Sequence, residues 1–147
     1  MLQCLIVIPL LRVIILNLPC RALMKKTAFW LALALFISQI CLIIFAPADV
    51  WSQNLGVFGT FFKFNLMVDT LASVMLLCIG IVLFISLLVG NALLTDAEQK
   101  FNFTNLLLII LCGMNGVVMT TDIFSLFVFM EITSVVSFIL VAFKRNI

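Results

Sequence analysis

Histidine is absent from the 147-residue sequence, and charged side chains make up only 10% of it. Soluble domains carry about 25% charged residues, so this chain has too little charge to cover a water-soluble globule of its size. The five cysteines are Cys4, Cys20, Cys41, Cys78 and Cys112. No two of them have a C-x-x-C spacing. Without histidine or paired cysteines, the chain has no recognisable ligand set for zinc or an iron–sulfur cluster. The sequence therefore predicts neither a metal nor a cofactor.

The sequence also lacks the patterns that indicate soluble catalysis or nucleic-acid binding. It has no nucleophile–base pair, no phosphate-binding loop and no cluster of basic and aromatic residues, and its net charge is only +2. An autonomous enzyme is therefore disfavoured, and no nucleic-acid partner is expected.

Long apolar runs are what the sequence has instead, since 66% of its residues are hydrophobic. A helix needs about 20 apolar residues to cross the hydrocarbon core of a bilayer. Five segments approach or exceed this length, which predicts an all-α, polytopic membrane helix bundle formed by residues 1–147 as a single transmembrane domain. The first segment has no basic n-region and is expected to be a retained helix rather than a signal peptide. The predicted spans are 2–18, 27–46, 66–94, 103–119 and 123–143.

The basic residues predict how the bundle is oriented. With five spans, six of them fall on one side of the membrane, whereas Lys63 alone falls on the other. Because cytoplasmic loops carry the excess of lysine and arginine, we expect the N-terminus outside and the C-terminus in the cytoplasm. The longest loop, 47–65, is then expected to be a partly ordered external cap. The six residues are Arg21, Lys25, Lys26, Lys100, Lys144 and Arg145.

Glu131 is the ninth residue of the fifth predicted span, which places it about 12 Å below the outer end of that helix. An ionisable group at this depth costs several kcal/mol unless it is neutral, paired or hydrated, and such residues tend to mark ion or proton paths. Ser134 lies three residues on and shares a helix face with Glu131. It is a further relay candidate, because its hydroxyl could hydrogen-bond the carboxyl group or hold a water. We interpret Glu131 as a buried ion or proton relay, and the alternative is a protonated side chain that packs against another helix.

The fourth predicted span contains Gly113, Asn115 and Gly116. Small residues let helices approach closely, and a buried amide can bridge helices. The two glycines are therefore predicted to form a helix-packing notch. Asn115 either bridges helices or lies on a hydrated path as a further relay candidate, and the residues leave both roles open.

Two aspartates stand near predicted helix starts. Asp69 lies near the start of the third span, and Asp122 directly precedes the fifth. On the predicted topology both belong near the outer surface, where a carboxylate can accept hydrogen bonds from the free N–H groups of a first helical turn. We therefore predict interface or capping roles for both, with Thr121 an equally placed cap for the fifth helix.

The stretch from Gly113 to Glu131 resembles a family pattern. It reads G-M-N-G near the end of one span, and then D-I-F-S-L-F-V-F-M-E from Asp122 onward. This arrangement is similar to the fourth and fifth helices of the antiporter-like subunits of respiratory complex I, Mrp-type cation/proton antiporters and membrane-bound group 4 nickel–iron hydrogenases. Weaker similarity lies upstream at residues 68–72, so the chain resembles the N-terminal part of a much longer subunit. Thr121 replaces the family's usual glycine, and Phe138 replaces its common tyrosine.

The resemblance implies that Glu131 matches a glutamate that pairs with a lysine on a later helix during ion transfer. No lysine in this sequence falls at membrane mid-depth, so another chain would have to supply the missing helices and that lysine. The chain would then be a truncated or split antiporter-like subunit, not catalytic alone, in an ion-translocating oxidoreductase or antiporter complex. The alternatives are a non-conducting structural or assembly subunit and a small homo-oligomeric transporter. The inner (plasma) membrane of a prokaryote is favoured over the mitochondrial inner membrane.

Overall fold

The computed structural model describes residues 4–16, 21–44, 51–58 and 62–143. These residues form five α-helices and one two-stranded antiparallel sheet. The predicted class, a helical membrane bundle, is confirmed, and the sheet is an addition to it. In chain order the elements are α1 (Cys4–Leu16), α2 (Arg21–Ile44), β1 (Trp51–Phe58), β2 (Phe62–Val68), α3 (Thr70–Leu93), α4 (Ala97–Met119) and α5 (Ile123–Phe143).

Three of the described helices are long and apolar enough to cross a membrane, namely α3, α4 and the Ile123–Ala142 part of α5. In the other two, the apolar stretches are shorter and run over Leu5–Ile14 and Ala32–Cys41. The count of five spans and the orientation of the termini therefore stay predictions.

Several helices have bounds that differ from the predicted spans. α3 begins at Thr70 rather than at residue 66, because residues 66–68 belong to β2. α4 begins at Ala97 rather than at residue 103, and this places Glu98 in its first turn, where an acidic group interacts favourably with the helix dipole. α2 begins at Arg21 rather than at residue 27, and α5 covers the predicted range. Residues 2–3, 17–18 and 45–46 of the predicted spans lie outside the described residues.

A β-hairpin forms in the segment for which the sequence predicts a partly ordered external cap. β1 and β2 pair antiparallel, with Asn54 opposite Asn65 and a register shift between Asn54 and Val57. Apolar and polar residues alternate along 62–66, which is the period of a strand.

The hairpin is attached to the turn between α4 and α5. Leu66 forms an isolated β-bridge with Thr120. The backbone oxygen of Asn65 accepts hydrogen bonds from the backbone N–H of Thr121 at 3.3 Å and from its Oγ1 at 3.2 Å. These contacts use the polar groups of Thr121, whereas the buried Thr120 hydroxyl has no hydrogen-bond partner among the described residues.

α4 is the central helix of the bundle, and it packs against α1, α2, α3 and α5. Its buried side chains form the main hydrophobic core together with Phe36 of α2 and Leu87 of α3. Among the described elements, α5 makes extensive contacts with α4 alone. One face of α5 is consequently left exposed, and its large apolar side chains include Ile123, Phe124, Phe127, Phe138 and Val141.

Candidate functional site

Glu131 lies in the middle of the exposed face of α5. It is the ninth residue of a 21-residue helix, so it is about 12 Å from the helix N-terminus. Phe127, one turn before it, is 60% exposed, and Phe138, two turns after it, is 74% exposed. Glu131 itself is exposed, so the predicted burial is not found within this chain. The reason is that α5 rests on α4 with its opposite face.

The hydroxyl groups near Glu131 differ in whether they are already bonded. Thr133 donates to the backbone oxygen of Phe129 at 2.8 Å, and Ser137 donates to the backbone oxygen of Thr133 at 2.7 Å. Ser134 is exposed on the Glu131 side of the helix. Within the described residues, neither Ser134 nor Glu131 has a hydrogen-bond or ion-pair partner through its side chain. Ser134 is therefore the hydroxyl available to Glu131 or to a group that approaches it.

Asp69 and Asp122 accept hydrogen bonds at helix starts. Asp69 Oδ1 accepts from the backbone N–H of Ala72 at 2.7 Å, at the start of α3. Asp122 Oδ2 accepts from the backbone N–H of Ser125 at 3.1 Å and from its Oγ at 3.0 Å, at the start of α5. Since Thr121 bonds to the hairpin, Asp122 is the side chain that caps α5.

The two glycines of α4 lie where α5 rests on it. A Cβ atom on Gly116 would overlap the ring of Phe129, and one on Gly113 would overlap Thr133 Oγ1. Phe129 lies two positions before Glu131, and Thr133 lies two positions after it. A separation of two positions corresponds to about 160° around the helix axis, so both lie almost opposite Glu131. α4 therefore holds α5 by the side that faces away from Glu131.

Asn115 forms a reciprocal hydrogen-bonded pair with Gln39 of α2. Asn115 Nδ2 donates to Gln39 Oε1 at 3.0 Å, and Gln39 Nε2 donates to Asn115 Oδ1 at 3.1 Å. The remaining N–H groups reach two further helices: Asn115 Nδ2 donates to the backbone oxygen of Leu5 at 3.1 Å, and Gln39 Nε2 to that of Leu76 at 3.2 Å. All four amide N–H groups are used, and the pair joins α1, α2, α3 and α4. Two roles were left open for Asn115, a bridge between helices and a place on a hydrated path. This geometry is that of a bridge between helices.

Pro9 explains why Leu5 is available to Asn115. In a regular helix the Leu5 carbonyl would accept from the backbone N–H of residue 9, but proline has none. Asn115 supplies the missing donor, and the next carbonyl, that of Ile6, accepts from Cys112 Sγ at 3.4 Å. Two side chains of α4 thus bond to the carbonyl groups of α1 that precede the proline.

Gln39 and Pro9 are site residues that the sequence analysis did not predict. Gln39 is the one amide in the predicted span 27–46, which is apolar apart from the hydroxyl groups of Thr27 and Ser38. Its 3% exposure depends on the neighbouring helices. A lone amide in an apolar membrane helix is itself a signal, because it requires a hydrogen-bond partner on another helix. The identity of that partner does not follow from the sequence.

Asn105, the second buried asparagine of α4, lies outside this pair. It is 7% exposed, and its Oδ1 has no hydrogen-bond partner among the described residues. On another side of α4, a groove of about 340 Å³ runs between α3 and α5 and is lined in part by Met114, Met130 and Ser134. In the described part of the chain, no group of three or more cysteine or acidic side chains is placed to hold a metal ion.

Comparison with known proteins relates the chain to antiporter-like subunits. No family model matches it. Over 110 residues it is 27% identical to a Na⁺/H⁺ antiporter subunit of Alkalihalophilus pseudofirmus, an alignment that covers 71% of this chain and 22% of that protein. A chain of the Mrp complex from Dietzia sp. has the same fold, with a TM-score of 0.76 and 19% identity, over 92% of this chain and 26% of that chain.

A chain of the membrane-bound sulfane sulfur reductase, an archaeal respiratory membrane complex, shares the fold as well. Its TM-score is 0.69 at 24% identity, over 92% of this chain and 28% of that chain. The predicted resemblance to antiporter-like subunits is thus confirmed, and this integral membrane protein is similar to a part of such a subunit. It spans about a quarter of the length of these relatives.

Proposed function

We propose that this chain contributes an ion or proton relay to a multisubunit membrane complex, and that Glu131 is the relay group. The observation that carries the proposal is the position of Glu131. Its carboxyl group lies at the centre of an exposed apolar helix face, without a partner among the described residues. An ionisable group that faced lipid at this depth would cost several kcal/mol. Protein therefore covers this face in the working complex.

The covering protein is a membrane chain of the same complex. This chain spans about one quarter of the relatives' length, and the covering chain supplies helices equivalent to the remaining part. The family resemblance adds that one of these helices carries a mid-membrane lysine, which pairs with Glu131. The groove of about 340 Å³ beside Ser134 offers space for side chains of such a helix. Two of the relatives are parts of membrane complexes, which supports an assembly of this kind.

Protons or sodium ions are the proposed cargo. The similarity to a Na⁺/H⁺ antiporter supports this choice. Glu131 binds the ion and passes it on, and the Ser134 hydroxyl on the same face is placed to hydrogen-bond the carboxyl group. Because the relatives are prokaryotic, a prokaryotic plasma membrane is the proposed location.

Ion transport by the intact complex with Glu131→Gln, beside wild type at equal assembly, tests the proposal. Glutamine has nearly the same shape as glutamate but cannot carry the charge or exchange the carboxyl proton. Removal of a positioned acid–base group typically costs about 10²-fold or more, so we expect a loss of about that size.

Glu98→Gln serves as the matched control, because Glu98 lies in the exposed first turn of α4. Transport should stay normal in this variant. Normal transport in Glu131→Gln would instead support the alternative, a non-conducting structural or assembly subunit in which a protonated Glu131 packs against its neighbour.

A further inference from the structure

We infer that Gln39 and Asn115 are positioning residues for Glu131, an inference that rests on the proposed relay function. The hydrogen bonds of the two amides run to α1, α3 and each other, and none of them reaches α5. Any influence on Glu131 therefore passes through the backbone of α4, which carries Asn115 on one side and α5 on another.

The first step is the fixed rotation of α4 relative to α1, α2 and α3. Asn115 is fully buried and bonds to Gln39 on α2 and Leu5 on α1, while Gln39 also bonds to Leu76 on α3. Turning or sliding α4 would break these bonds in an apolar interior. Each buried polar group left unpaired has lost its hydration without gaining a partner, so one rotation of α4 is strongly preferred.

The second step is the transfer of that rotation to α5. Gly116 directly follows Asn115 and leaves room for the ring of Phe129, and Gly113 leaves room for Thr133. These two α5 residues lie on the opposite side of the helix from Glu131. Since α4 is the one described element that packs extensively on α5, the surface of α4 determines the direction in which Glu131 points.

A relay group needs this control. Displacement of a reacting group by about 1 Å can cost about 10²-fold in rate. α5 supplies little restraint of its own, because most of its side chains are exposed. The amide pair and the two glycines together therefore set the geometry of Glu131 toward the chain that covers it.

Gln39→Met in the intact complex is the principal test. Methionine matches the length and flexibility of glutamine but removes its bonds to Asn115 and Leu76. We measure transport turnover per assembled complex and the labelling rate of Glu131 by a lipophilic carbodiimide, which reacts with protonated carboxyl groups in apolar surroundings. Turnover should fall about tenfold, since a displacement below 1 Å suffices for a loss of this order. The labelling rate should differ from that of wild type, because the carboxyl group is then placed differently against the protein that covers it. Lower stability by itself moves neither quantity, because both are normalised to assembled protein.

Two further variants sharpen the test. Asn105→Leu removes a buried amide of α4 outside the pair, and it should leave turnover and labelling at their wild-type values. Gln39→Asn shortens the pair and should lower turnover, whereas the double variant Gln39→Asn with Asn115→Gln keeps both amides and their combined length and should restore most of it.

Normal turnover and labelling in Gln39→Met would overturn the inference. Failure of that variant to assemble would overturn it as well, because the pair would then serve folding rather than the placement of Glu131. The two proposals fail separately. Normal transport in Glu131→Gln contradicts the relay itself, whereas loss in Glu131→Gln with normal transport in Gln39→Met contradicts only the positioning role.

Discussion

α4 and α5 are neighbouring helices of similar length, 23 and 21 residues, yet they use their polar side chains in opposite ways. In an apolar 18-residue stretch of α4, 61% of the residues are buried, whereas in the corresponding stretch of α5 only 11% are buried. Asn115 of α4 is 0% exposed and bonded to two other helices of its own chain. Glu131 of α5 is exposed and unpartnered among the described residues. A polar group of the first kind stabilises its own bundle, and one of the second kind is left for a partner outside the described residues.

The largest effect on stability is expected from Asn115→Leu. The substitution removes three hydrogen bonds and leaves Leu5 and Gln39 with unpaired groups, so the free energy of unfolding should fall by about 3 kcal/mol. Reversible unfolding of the purified chain in mixed micelles measures it. Asn105→Leu is the matched control and should change the free energy by less than about 1 kcal/mol, because Oδ1 of Asn105 accepts no bond in the described structure. Equal losses in the two variants would remove the distinction between the two asparagines.

Gly116→Ala should have the next largest effect, because it disturbs the contact between the two helices. The new methyl group would overlap the ring of Phe129, and overpacking of this kind costs about 2 kcal/mol. At Gly80 a Cβ atom would lie 3.3 Å from Ile40 Cγ1, so Gly80→Ala should cost about 1 kcal/mol or less in the same unfolding assay. Adding Phe129→Leu to Gly116→Ala should recover part of the loss. No recovery would indicate that the ring is not what opposes the methyl group.

Pro9→Ala should make the stability of α1 depend less on its hydrogen bond from Asn115 of α4. Alanine restores a backbone N–H that can bond to the Leu5 carbonyl, which then needs Asn115 less. In a double-mutant cycle, Asn115→Leu should therefore cost about 1 kcal/mol less in the Pro9→Ala background than in wild type. Additive costs would show that the proline and the asparagine act independently.

The smallest effect on stability is expected from Glu131→Gln. Because the side chain has no partner among the described residues, the free energy of unfolding of the isolated chain should change by less than about 0.5 kcal/mol. The unfolding assay that detects Asn115→Leu checks this value. A loss comparable to that of Asn115→Leu would mean that Glu131 serves the folding of its own chain.

Local sequence signals predicted the start of α5 because its determinants are adjacent in the chain. Asp122 is followed directly by a long apolar run, and its carboxylate accepts the hydrogen bonds expected of a cap. The Gly113 and Gly116 notch was predictable for the same reason, since small residues near the end of an apolar helix favour close packing. The prediction that α3 begins at residue 66 is wrong. Residues 66–68 are as apolar as the helix that follows, but they pair in strand β2.

The missed features depend on residues that are far apart in sequence. Gln39 and Asn115 are 76 positions apart, and Asn115 and Leu5 are 110 apart. Pro9 interrupts a helix in the sequence, but its consequence, a carbonyl group that needs a donor, is met by another helix. The exposure of Glu131 also depends on packing, because an apolar helix in a membrane protein can be central like α4 or peripheral like α5.

The most direct test of the account is photo-crosslinking from the outer face of α5 in the intact membrane complex. A photoreactive amino acid at position 138 replaces Phe138, which is 74% exposed beyond Glu131, and the control position is Leu140, which packs against the core of the same chain. We expect position 138 to form a covalent product with another membrane chain of the complex, and position 140 to form products within this chain alone. Products with lipid only at position 138 would contradict the account, because Glu131 would then face the bilayer without a partner.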